Sequence, residues 1–371
     1  MRFTVRSLTG REQGSFLRLP WQLYRGDPNW VPPLLRDMRA IVAGANPLRQ
    51  AGPMELFLAR DGVRVVGRLA VGANETINRS KGTRDGYFTL FECAEDYSVA
   101  RALLDTGLAW LRERGYVQVK GPVSPTWGDD YRGLLVEGFD SPPVLLNSYN
   151  PPYYAEFLER YGFEKAEDLY AYRYDLGPAP ERYRRVVDYA MRKFRYRVDR
   201  LQLGDLEREI RAIKQVLDEA MPREWPDLTP PRLEELRAMA RRLRPLAVPE
   251  FIYIARSGAG DPIGFNLALP DYNQVLRHLD GRLFPLGWLK FLWHRRRIDG
   301  GRLFVLFVVP SYRKKGVPAA IFLRALEAAR RRGYRWAEGS TIGETNLPMR
   351  RDAESVGGTH YKTYRIYRKL L

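Results

Sequence analysis

Apolar and polar positions alternate in a way that predicts the same hairpin twice along the chain. Residues 54–71 read MELFLARDGVRVVGRLAV, in which two apolar runs flank an Asp-Gly turn, and this pattern is typical of a β-hairpin. Residues 250–269 read EFIYIARSGAGDPIGFNLAL and show the same pattern around a glycine-rich turn. The two hairpins therefore predict an internal repeat.

The elements after each hairpin also match. GYFTLFE at 86–92 and LFVLFVV at 303–309 are rich in aromatic and β-branched residues, which is typical of buried strands. Apolar residues then recur every three or four positions as far as Gly115 in the first half and Gly333 in the second, which predicts a helix in each. Each half then reaches an asparagine, Asn150 or Asn346, before a shorter helical segment.

Other segments fit this division of the chain. Residues 11–24 predict an amphipathic helix that Pro20 should end or bend. The LGPAP stretch at 176–180 lies between two charged segments and is typical of a linker. With 371 residues the chain is long enough for two domains, and we place them at residues 1–177 and 178–371.

The turn between strand and helix differs between the halves. In the second half the cationic sequence RKKG at 313–316 precedes the helix, whose first amide N–H groups are unpaired and carry the positive end of the helix dipole. Such a turn can hold a phosphate or a diphosphate. In the first half Glu95 and Asp96 occupy this place, and their carboxylates would repel a phosphate. An ordinary crossover with a solvated turn is the alternative interpretation of residues 313–316.

Two short motifs in the second half carry a family resemblance. Arg313, Gly316 and Pro318 stand at the three positions of the pattern Q/R-x-x-G-x-G/A, and Asn346 stands at the asparagine of the next motif. In these features the chain resembles the GNAT superfamily of acyl-CoA-dependent N-acyltransferases, and its repeat resembles bacterial tandem-GNAT proteins. Pro318 departs from the pattern, because proline has no N–H to offer a phosphate, although it suits the first position of a helix.

The resemblance implies a fold and a donor. The expected fold class is α/β, with two tandem GNAT-like domains that each contain a mixed, largely antiparallel sheet flanked by helices. The resemblance also implies that acetyl-CoA, or another acyl-CoA, binds to the C-terminal domain, whereas the acidic turn predicts an N-terminal domain without a cofactor.

The donor-binding residues follow from the resemblance as well. In the family the fourth strand bends away from its neighbour, and its free backbone groups pair with the pantetheine arm. By position these groups belong to Phe307, Val308 and Val309. The expected diphosphate-binding residues are Arg313, Lys314, Lys315, Gly316, Val317, Ala319 and Ala320.

The candidate catalytic residues are few. Glu338 ends the strand after the cofactor helix and is the candidate base, with Glu344 beside Asn346 as the alternative; either could be an ordinary solvated carboxylate. We include Asn346 in the candidate site. Many family members have a thiolate-protonating tyrosine seven positions after this asparagine, where this chain has Ala353. We therefore assign Tyr364 as the candidate acid, although the alternate spacing of Tyr361, Tyr364 and Tyr367 is also typical of a packed strand face.

Charge and cysteine content narrow the class of protein. The 61 basic and 44 acidic side chains give a net charge of +17, which favours a polyanionic partner such as coenzyme A, a nucleic acid or an acidic membrane. The basic residues are spread along the chain, so the charge alone does not identify the partner. The single cysteine, Cys93, excludes an internal disulfide and is expected to be a small buried residue. With three histidines in addition, the composition predicts no metal site.

The N-terminus lacks the apolar core of a signal peptide, and we find no apolar run long enough to span a membrane, so we expect a cytoplasmic protein. One insertion, residues 281–297, has many apolar residues followed by three arginines. We expect a helix packed on its own sheet; covering an acyl pocket, docking a partner and touching a membrane are the alternatives. Trp225, in another loop, is a candidate core or lid anchor that could also line the substrate site.

The sequence thus predicts an N-acyltransferase with its active site in the C-terminal half. The expected reaction is acetyl transfer to a primary amine of a small molecule or peptide. A GNAT-like protein that binds a ligand without catalysis is one alternative. A nucleic-acid-associated basic protein is the other, and it depends on the charge alone.

Overall fold

We describe a computed structural model of the chain, which covers residues 3–43, 51–125, 130–222 and 229–371. Its strands are β1 Thr4–Ser7, β2 Met54–Asp61, β3 Arg64–Ala73, β4 Asp85–Cys93, β5 Gln118–Gly121, β6 Leu134–Glu137, β7 Glu164–Asp175, β8 Tyr196–Arg200, β9 Tyr253–Ser257, β10 Pro262–Pro270, β11 Gly300–Val308, β12 Trp336–Gly343 and β13 Thr359–Leu370. Its helices are α1 Gln13–Leu23, α2 Leu35–Val42, α3 Glu75–Lys81, α4 Tyr97–Glu113, α5 Tyr153–Arg160, α6 Glu181–Lys193, α7 Leu206–Ala220, α8 Leu233–Leu243, α9 Asn273–Leu276, α10 Gly287–His294, α11 Val317–Arg331 and α12 Leu347–Ser355. Trp225 lies outside the described residues.

All the strands belong to one mixed sheet, and the two halves exchange their last strands. The order is β1-β2-β3-β4-β5-β13-β7-β12-β11-β10-β9-β8, and β6 also pairs with β13. The last strand of the chain, β13, is therefore antiparallel to β5 of the N-terminal half. The last strand of the N-terminal half, β7, is antiparallel to β12 of the C-terminal half. The exchange joins the halves through the centre of the sheet, where β13 and β7 pair with each other.

The repeat extends to individual hydrogen bonds. The N–H of Ala94, after β4, donates to the carbonyl of Val66 at 2.8 Å, and the N–H of Val309, after β11, donates to the carbonyl of Ile263 at 3.0 Å. Gly67 and Gly264 follow these acceptors. A Cβ on Gly67 would lie 3.0 Å from Val99, and one on Gly264 would lie 3.3 Å from Val317. Glycine at these positions therefore lets the helix that follows approach the hairpin closely in both halves.

The predicted mixed sheet flanked by helices is confirmed. The boundary between residues 177 and 178 falls between β7 and α6, and the extent of each domain stays a prediction. Pro20 does not end α1, which continues to Leu23. Proline removes the hydrogen bond to the carbonyl four residues earlier, and here the guanidinium of Arg68 donates to that carbonyl, on Phe16, at 2.7 Å. Cys93 is buried, as expected, and burial raises the pKa of its thiol.

The expectation for residues 281–297 is wrong in one respect. The segment does form a helix, α10, but no residue of that helix is buried. Six large apolar side chains in this segment are exposed instead of packing on the sheet. A pattern of apolar residues predicts a helix, but it does not show whether the fold supplies a surface to cover it. Among the described helices, none has the length and apolar character needed to cross a bilayer.

Candidate active site

A cleft opens in the C-terminal half where two parallel strands separate. β11 pairs with β12 only from Gly300 to Leu303, opposite Trp336 to Gly339. Beyond Leu303 the strand stays paired with β10 on its other side as far as Val308. Residues 303–307 are only half-buried, although this strand lies well inside the sheet order. The separation predicted for the fourth strand of this half is therefore present.

In the N-terminal half, protein groups fill the gap between the corresponding strands, β4 and β5. β4 and β5 pair from Asp85 to Tyr87 and then part. There the N–H of Val123 donates to the carbonyl of Phe88 at 2.9 Å, and the hydroxyl of Thr89 donates to the carbonyl of Val123 at 2.7 Å. These two bonds bridge the gap with protein groups.

The turn before α11 presents free amide groups. Lys314 and Gly316 have left-handed backbone angles, with φ of 63° and 77°. Within the described residues, the N–H groups of Lys314, Gly316, Val317 and Ala319 have no hydrogen-bond acceptor. Unpaired N–H groups at the start of a helix favour an anion, so this turn fits the diphosphate of a coenzyme A thioester.

The basic side chains of this turn have different environments. The guanidinium of Arg313 donates to the carbonyls of Val308 at 3.3 Å and Ala220 at 2.8 Å, so it ties the turn to the end of β11 and to α7. The ammonium of Lys315 lies 4.4 Å from the ring centre of Tyr312. Lys314 is exposed. Arg313 therefore positions the turn, and Lys314 and Lys315 are left to add positive charge beside it.

Four of the expected backbone donors are already in use. Within the turn, the N–H of Arg313 donates to the carbonyl of Pro310 at 3.2 Å and that of Lys315 to the carbonyl of Tyr312 at 3.3 Å, so these two amides are not free. The N–H of Val309 is bonded to Ile263, because it closes the end of the β10–β11 pair. The N–H of Ala320 donates to the carbonyl of Gly316 at 3.0 Å, because it makes the first hydrogen bond of α11. The expectation of free groups at Val309 and Ala320 is therefore wrong. The side chains of Val317 and Ala320 lie in the core.

The N-terminal counterpart of this turn is capped by its own side chain. Asp96 is the N-cap of α4, and its carboxylate accepts a hydrogen bond from the N–H of Ser98 at 2.9 Å and another from the Ser98 hydroxyl. A carboxylate at this position occupies the place that an anion would need. The contrast between the two turns agrees with the sequence-based expectation.

Glu338 stands where β12 parts from β11, and it is fully buried. Its carboxylate accepts hydrogen bonds from the side-chain amide of Asn147 at 2.6 Å, from the hydroxyl of Ser340 and from the hydroxyl of Tyr361. The Nε of Arg302 lies 4.0 Å from the same carboxylate. Burial, and then the negative charge of Glu338, raise the pKa of Tyr361, which keeps that hydroxyl protonated as a donor.

A second buried carboxylate, Asp271, lies near Glu338. It follows β10 and accepts the N–H groups of Leu145 at 2.9 Å and Asn273 at 3.2 Å. Burial raises the pKa of Asp271 to about 7, and the negative charge of Glu338 contributes to the rise. A carboxyl group with a pKa near neutrality can exchange a proton at physiological pH, so Asp271 is suited to proton transfer.

The N-terminal half supplies part of this site. Asn147 and Leu145 belong to the loop between β6 and α5, and the carbonyl of Leu145 accepts a hydrogen bond from Arg302 at 2.8 Å. The loop is also held by Lys362, whose ammonium donates to the carbonyls of Gly138 and Ser141. The motifs of the sequence do not identify these residues.

The other candidate catalytic residues from the sequence are Tyr364, Asn346 and Glu344, and they have different environments. Tyr364, on β13, is fully buried, and among the described residues its hydroxyl has no hydrogen-bond partner. Burial and then the charge of Glu338 raise the pKa of Tyr364. Asn346 is the N-cap of α12, where its side chain accepts the N–H of Met349 at 3.4 Å. Glu344 accepts hydrogen bonds from Lys165 and from the N–H of Asp168. The structure does not place Asn346 or Glu344 in contact with Glu338.

A separate polar cavity of about 280 Å³ lies on the face of the sheet opposite to the side chain of Glu338. Its lining residues include Tyr170, Tyr172, Arg350 and His360. Its polar groups bond to one another: the hydroxyl of Thr363 donates to Glu137 at 2.6 Å, and the hydroxyl of Tyr172 donates to Glu354 at 3.1 Å. The cavity does not include Glu338 or the turn before α11, so it is not part of the candidate active site.

Two proteins of known sequence match nearly the whole chain. The bacterial ceramide synthase of Caulobacter vibrioides (strain NA1000 / CB15N) is 32% identical over 373 residues, which cover 98% of this chain and 96% of that protein. Protein YghO of Escherichia coli (strain K12) is 30% identical over 369 residues, which cover 96% of this chain and 92% of that protein. No protein-family model matches the chain.

The fold matches solved structures over the same length. A tandem GNAT protein from the clavulanic acid biosynthesis pathway aligns with 99% of this chain and 98% of its own, with a TM-score of 0.60 and 15% sequence identity. At this identity the match shows the fold, which is that of a tandem GNAT protein.

Proposed function

This chain belongs to the family of the bacterial ceramide synthase of Caulobacter vibrioides, with the GNAT acyltransferase fold, and we propose that it is an acyl-CoA-dependent N-acyltransferase. Its active site lies in the C-terminal half. One observation carries the proposal: β11 leaves β12 beside Glu338, and the turn at the end of β11 offers unpaired amides at the start of α11. An anion site beside an open strand edge suits a thioester with a diphosphate tail, because the amides can bind the diphosphate while the strand edge pairs with the arm.

The acyl-CoA would bind along the open edge of β11 and the turn that follows this strand. The amides of Lys314, Gly316, Val317 and Ala319 would bind the diphosphate, and Lys314 and Lys315 would supply positive charge. The backbone groups of residues 304–306 that face away from β10 would pair with the pantetheine arm at the open edge of β11. When bound, the thioester supplies an activated acyl group, and the protein orients it toward the buried carboxylates.

Asp271 and Tyr364 would divide the proton transfers, and Glu338 would position the groups around them. The amine nitrogen forms a bond to the acyl carbon, the carbon–sulfur bond breaks, and the proton that leaves the amine must finally reach the sulfur. We assign Asp271 as the group that accepts the proton, because its pKa of about 7 suits exchange near neutral pH. Glu338, held by three hydrogen bonds, orients Asn147 and Tyr361 around the reacting atoms. Tyr364, whose hydroxyl is unpartnered among the described residues, is the candidate donor to the sulfur.

The acceptor class is proposed from the relative's name and from the surface near the cleft. A ceramide is an amide between a fatty acid and a long-chain amino alcohol, so a ceramide synthase joins a long acyl group to a long-chain amine. In this chain Phe304, Leu267 and Leu146 form partly exposed apolar contacts beside the cleft. We therefore propose a primary amine on a long apolar chain as the acceptor, with a long-chain acyl-CoA or acetyl-CoA as the donor.

Donor binding is tested by melting temperature and activity by release of free thiol. Coenzyme A should raise the melting temperature of the wild-type protein, because a ligand at about 100 times its dissociation constant stabilises the folded state by roughly 2.7 kcal/mol. Acetyl-CoA and a long-chain acyl-CoA, each with short-chain and long-chain amines, should then show which pair releases thiol fastest.

The matched variants are Gly316→Glu, Gly316→Gln and Gly260→Glu. Gly316 and Gly260 both have left-handed φ, 77° and 99°. Gly316→Glu should abolish the coenzyme A effect, Gly316→Gln should weaken it less, and Gly260→Glu should retain it, because only the first places a carboxylate beside the diphosphate. If coenzyme A does not raise the melting temperature of the wild type, or if all three variants respond equally, the proposed donor site is wrong.

A further inference from the structure

The segment around α10 leaves a large apolar surface uncovered. We define the interfacial patch by its six exposed large apolar side chains, whose relative exposures lie between 43% and 72%. They are Phe284, Leu286, Trp288, Leu289, Leu292 and Trp293. Apolar side chains scattered singly over a surface are ordinary, but six within ten positions form a contiguous patch of the kind that marks an interaction site.

The helix is held in one orientation by its inner face. The ring of Phe291 stacks on Tyr272 with ring centres 5.8 Å apart, and the ring of His294 stacks on His278 at 3.9 Å. At about 100° per residue, positions 288, 289, 292 and 293 together span an arc of about 140° on the other side. The fold therefore fixes α10 so that its apolar arc faces outward.

Basic side chains surround the patch. Arg282, Lys290 and residues 295–297, all arginine, are exposed. In the part of the chain that the structure describes, none of these cations forms an ion pair with a carboxylate. The guanidinium of Arg297 lies 3.7 Å from the ring centre of Trp293, so charge and apolar surface are in direct contact. Tryptophan, leucine and clustered arginine are the residues that favour the boundary between lipid headgroups and acyl chains.

We propose that the interfacial patch docks this protein on the surface of an anionic phospholipid bilayer, with α10 lying in the plane of the interface. The apolar arc would enter the boundary of the acyl chains, while the arginines would meet the phosphate groups. Charge complementarity favours an anionic bilayer as the partner of the patch. The whole chain has a net charge of +17, and the cations at the patch have no carboxylate partners among the described residues.

The patch is continuous with the cleft. Phe291 and Leu283, beside the exposed side chains, belong to the same apolar cluster as Leu146, Leu267 and Phe304. The last two lie on β10 and β11, next to the point where β11 leaves β12. The link between docking and catalysis rests on the proposed function: the apolar tail of a long-chain amine could remain in the bilayer while its amino group reaches the buried carboxylates.

Docking is tested by co-sedimentation with vesicles, without any acyl-CoA. The wild-type protein should sediment with vesicles of phosphatidylglycerol and phosphatidylcholine, and far less with phosphatidylcholine alone. The Arg295→Gln, Arg296→Gln double variant should bind the mixed vesicles about 25-fold more weakly, because each arginine near an anionic surface contributes about fivefold. The Leu292→Glu, Trp293→Glu double variant should lose binding by tenfold or more, since it places two carboxylates in the apolar arc.

Val63→Glu is the matched control. Val63 is 94% exposed and lies in the β2–β3 turn of the other half, so its replacement adds an acidic side chain away from the patch. This variant should bind like the wild type, and equal melting temperatures would show that all variants are folded. The proposal is overturned if the wild type does not sediment, or if the patch variants bind as well as Val63→Glu. A wild-type dimer that the patch variants dissociate in light scattering would also overturn it, because a second copy would then cover the patch.

A second measurement separates docking from catalysis. Thiol release is compared between a long-chain amine dispersed in detergent and the same amine embedded in anionic vesicles. The Leu292→Glu, Trp293→Glu variant should keep the detergent rate and lose most of the vesicle rate. Vesicle binding without thiol release from either preparation would refute the proposed function and leave docking supported. Equal losses in detergent and in vesicles would show that the patch serves the fold or the cleft, and would refute docking as its role.

Discussion

Asp271→Asn should increase the free energy of unfolding of this protein at neutral and higher pH. In the unfolded chain the carboxyl group has its ordinary pKa of 3.8, whereas burial raises the pKa in the folded protein to about 7. Between these values the folded state holds a proton that the unfolded state has released. The free energy of unfolding therefore falls as pH rises through this interval, and it falls no further once both states are ionised.

The size of the effect follows from the two pKa values. Each pH unit between 3.8 and about 7 contributes about 1.4 kcal/mol, so the total is roughly 4 kcal/mol. Asparagine has the same shape and keeps an oxygen that can accept the N–H groups of Leu145 and Asn273. The variant should therefore match the wild type near pH 4, where Asp271 is neutral, and should exceed its stability by up to about 4 kcal/mol near pH 8.

Urea unfolding followed by tryptophan fluorescence measures this difference at each pH. Subtracting the wild-type curve from that of the variant cancels the titration of all other groups, and Asp188→Asn, at an exposed position on α6, controls for the loss of one carboxylate. A difference that does not change between pH 4 and pH 8, or one that favours the wild type at high pH, would refute the account of Asp271. The same variant should also remove an apparent pKa near 7 from the pH dependence of thiol release.

Three further variants test other parts of the site. Gly316→Ala should lower the free energy of unfolding by about 1–2 kcal/mol because φ is left-handed there, and should weaken coenzyme A binding, whereas Gly260→Ala should affect stability alone. Arg302→Met should destabilise the protein by about 3–5 kcal/mol in urea, since it leaves Glu338 buried without a cation; adding Glu338→Gln should recover part of the loss. Asn147→Leu should cost about 1–3 kcal/mol and reduce thiol release without changing the coenzyme A effect on melting temperature; an unchanged rate would contradict the role given to the N-terminal loop.

The repeated elements were predictable because their signals are local. Alternation within each hairpin, and the spacing of three and four in each helix, are properties of short segments. The exchange of β7 and β13 was not predictable in the same way. Both strands are rich in tyrosine and charged residues, and nothing in either indicates whether its partner belongs to its own half or to the other.

The candidate site was predictable only where a motif or a strand end identified a residue. Glu338 and the turn at 313–316 were found in this way. Asn147, Arg302 and Asp271 were missed because their partners are far away in sequence: Asn147 is 191 positions from Glu338. A weak signal did exist, since Arg302 interrupts an apolar strand and Asp271 directly follows one. A charged residue at such a position is expected to have a buried partner.

The exchange of the last strands has a consequence for the biosynthesis of this protein. The N-terminal half is translated first, but its sheet lacks a neighbour for β5 until β13, whose final residue is Leu370, leaves the ribosome. Until then an open edge remains that could pair with another nascent chain. A nonsense mutation before the codon of Thr359 would remove β13, and it would leave β5 and β7 without the strand that pairs with both of them.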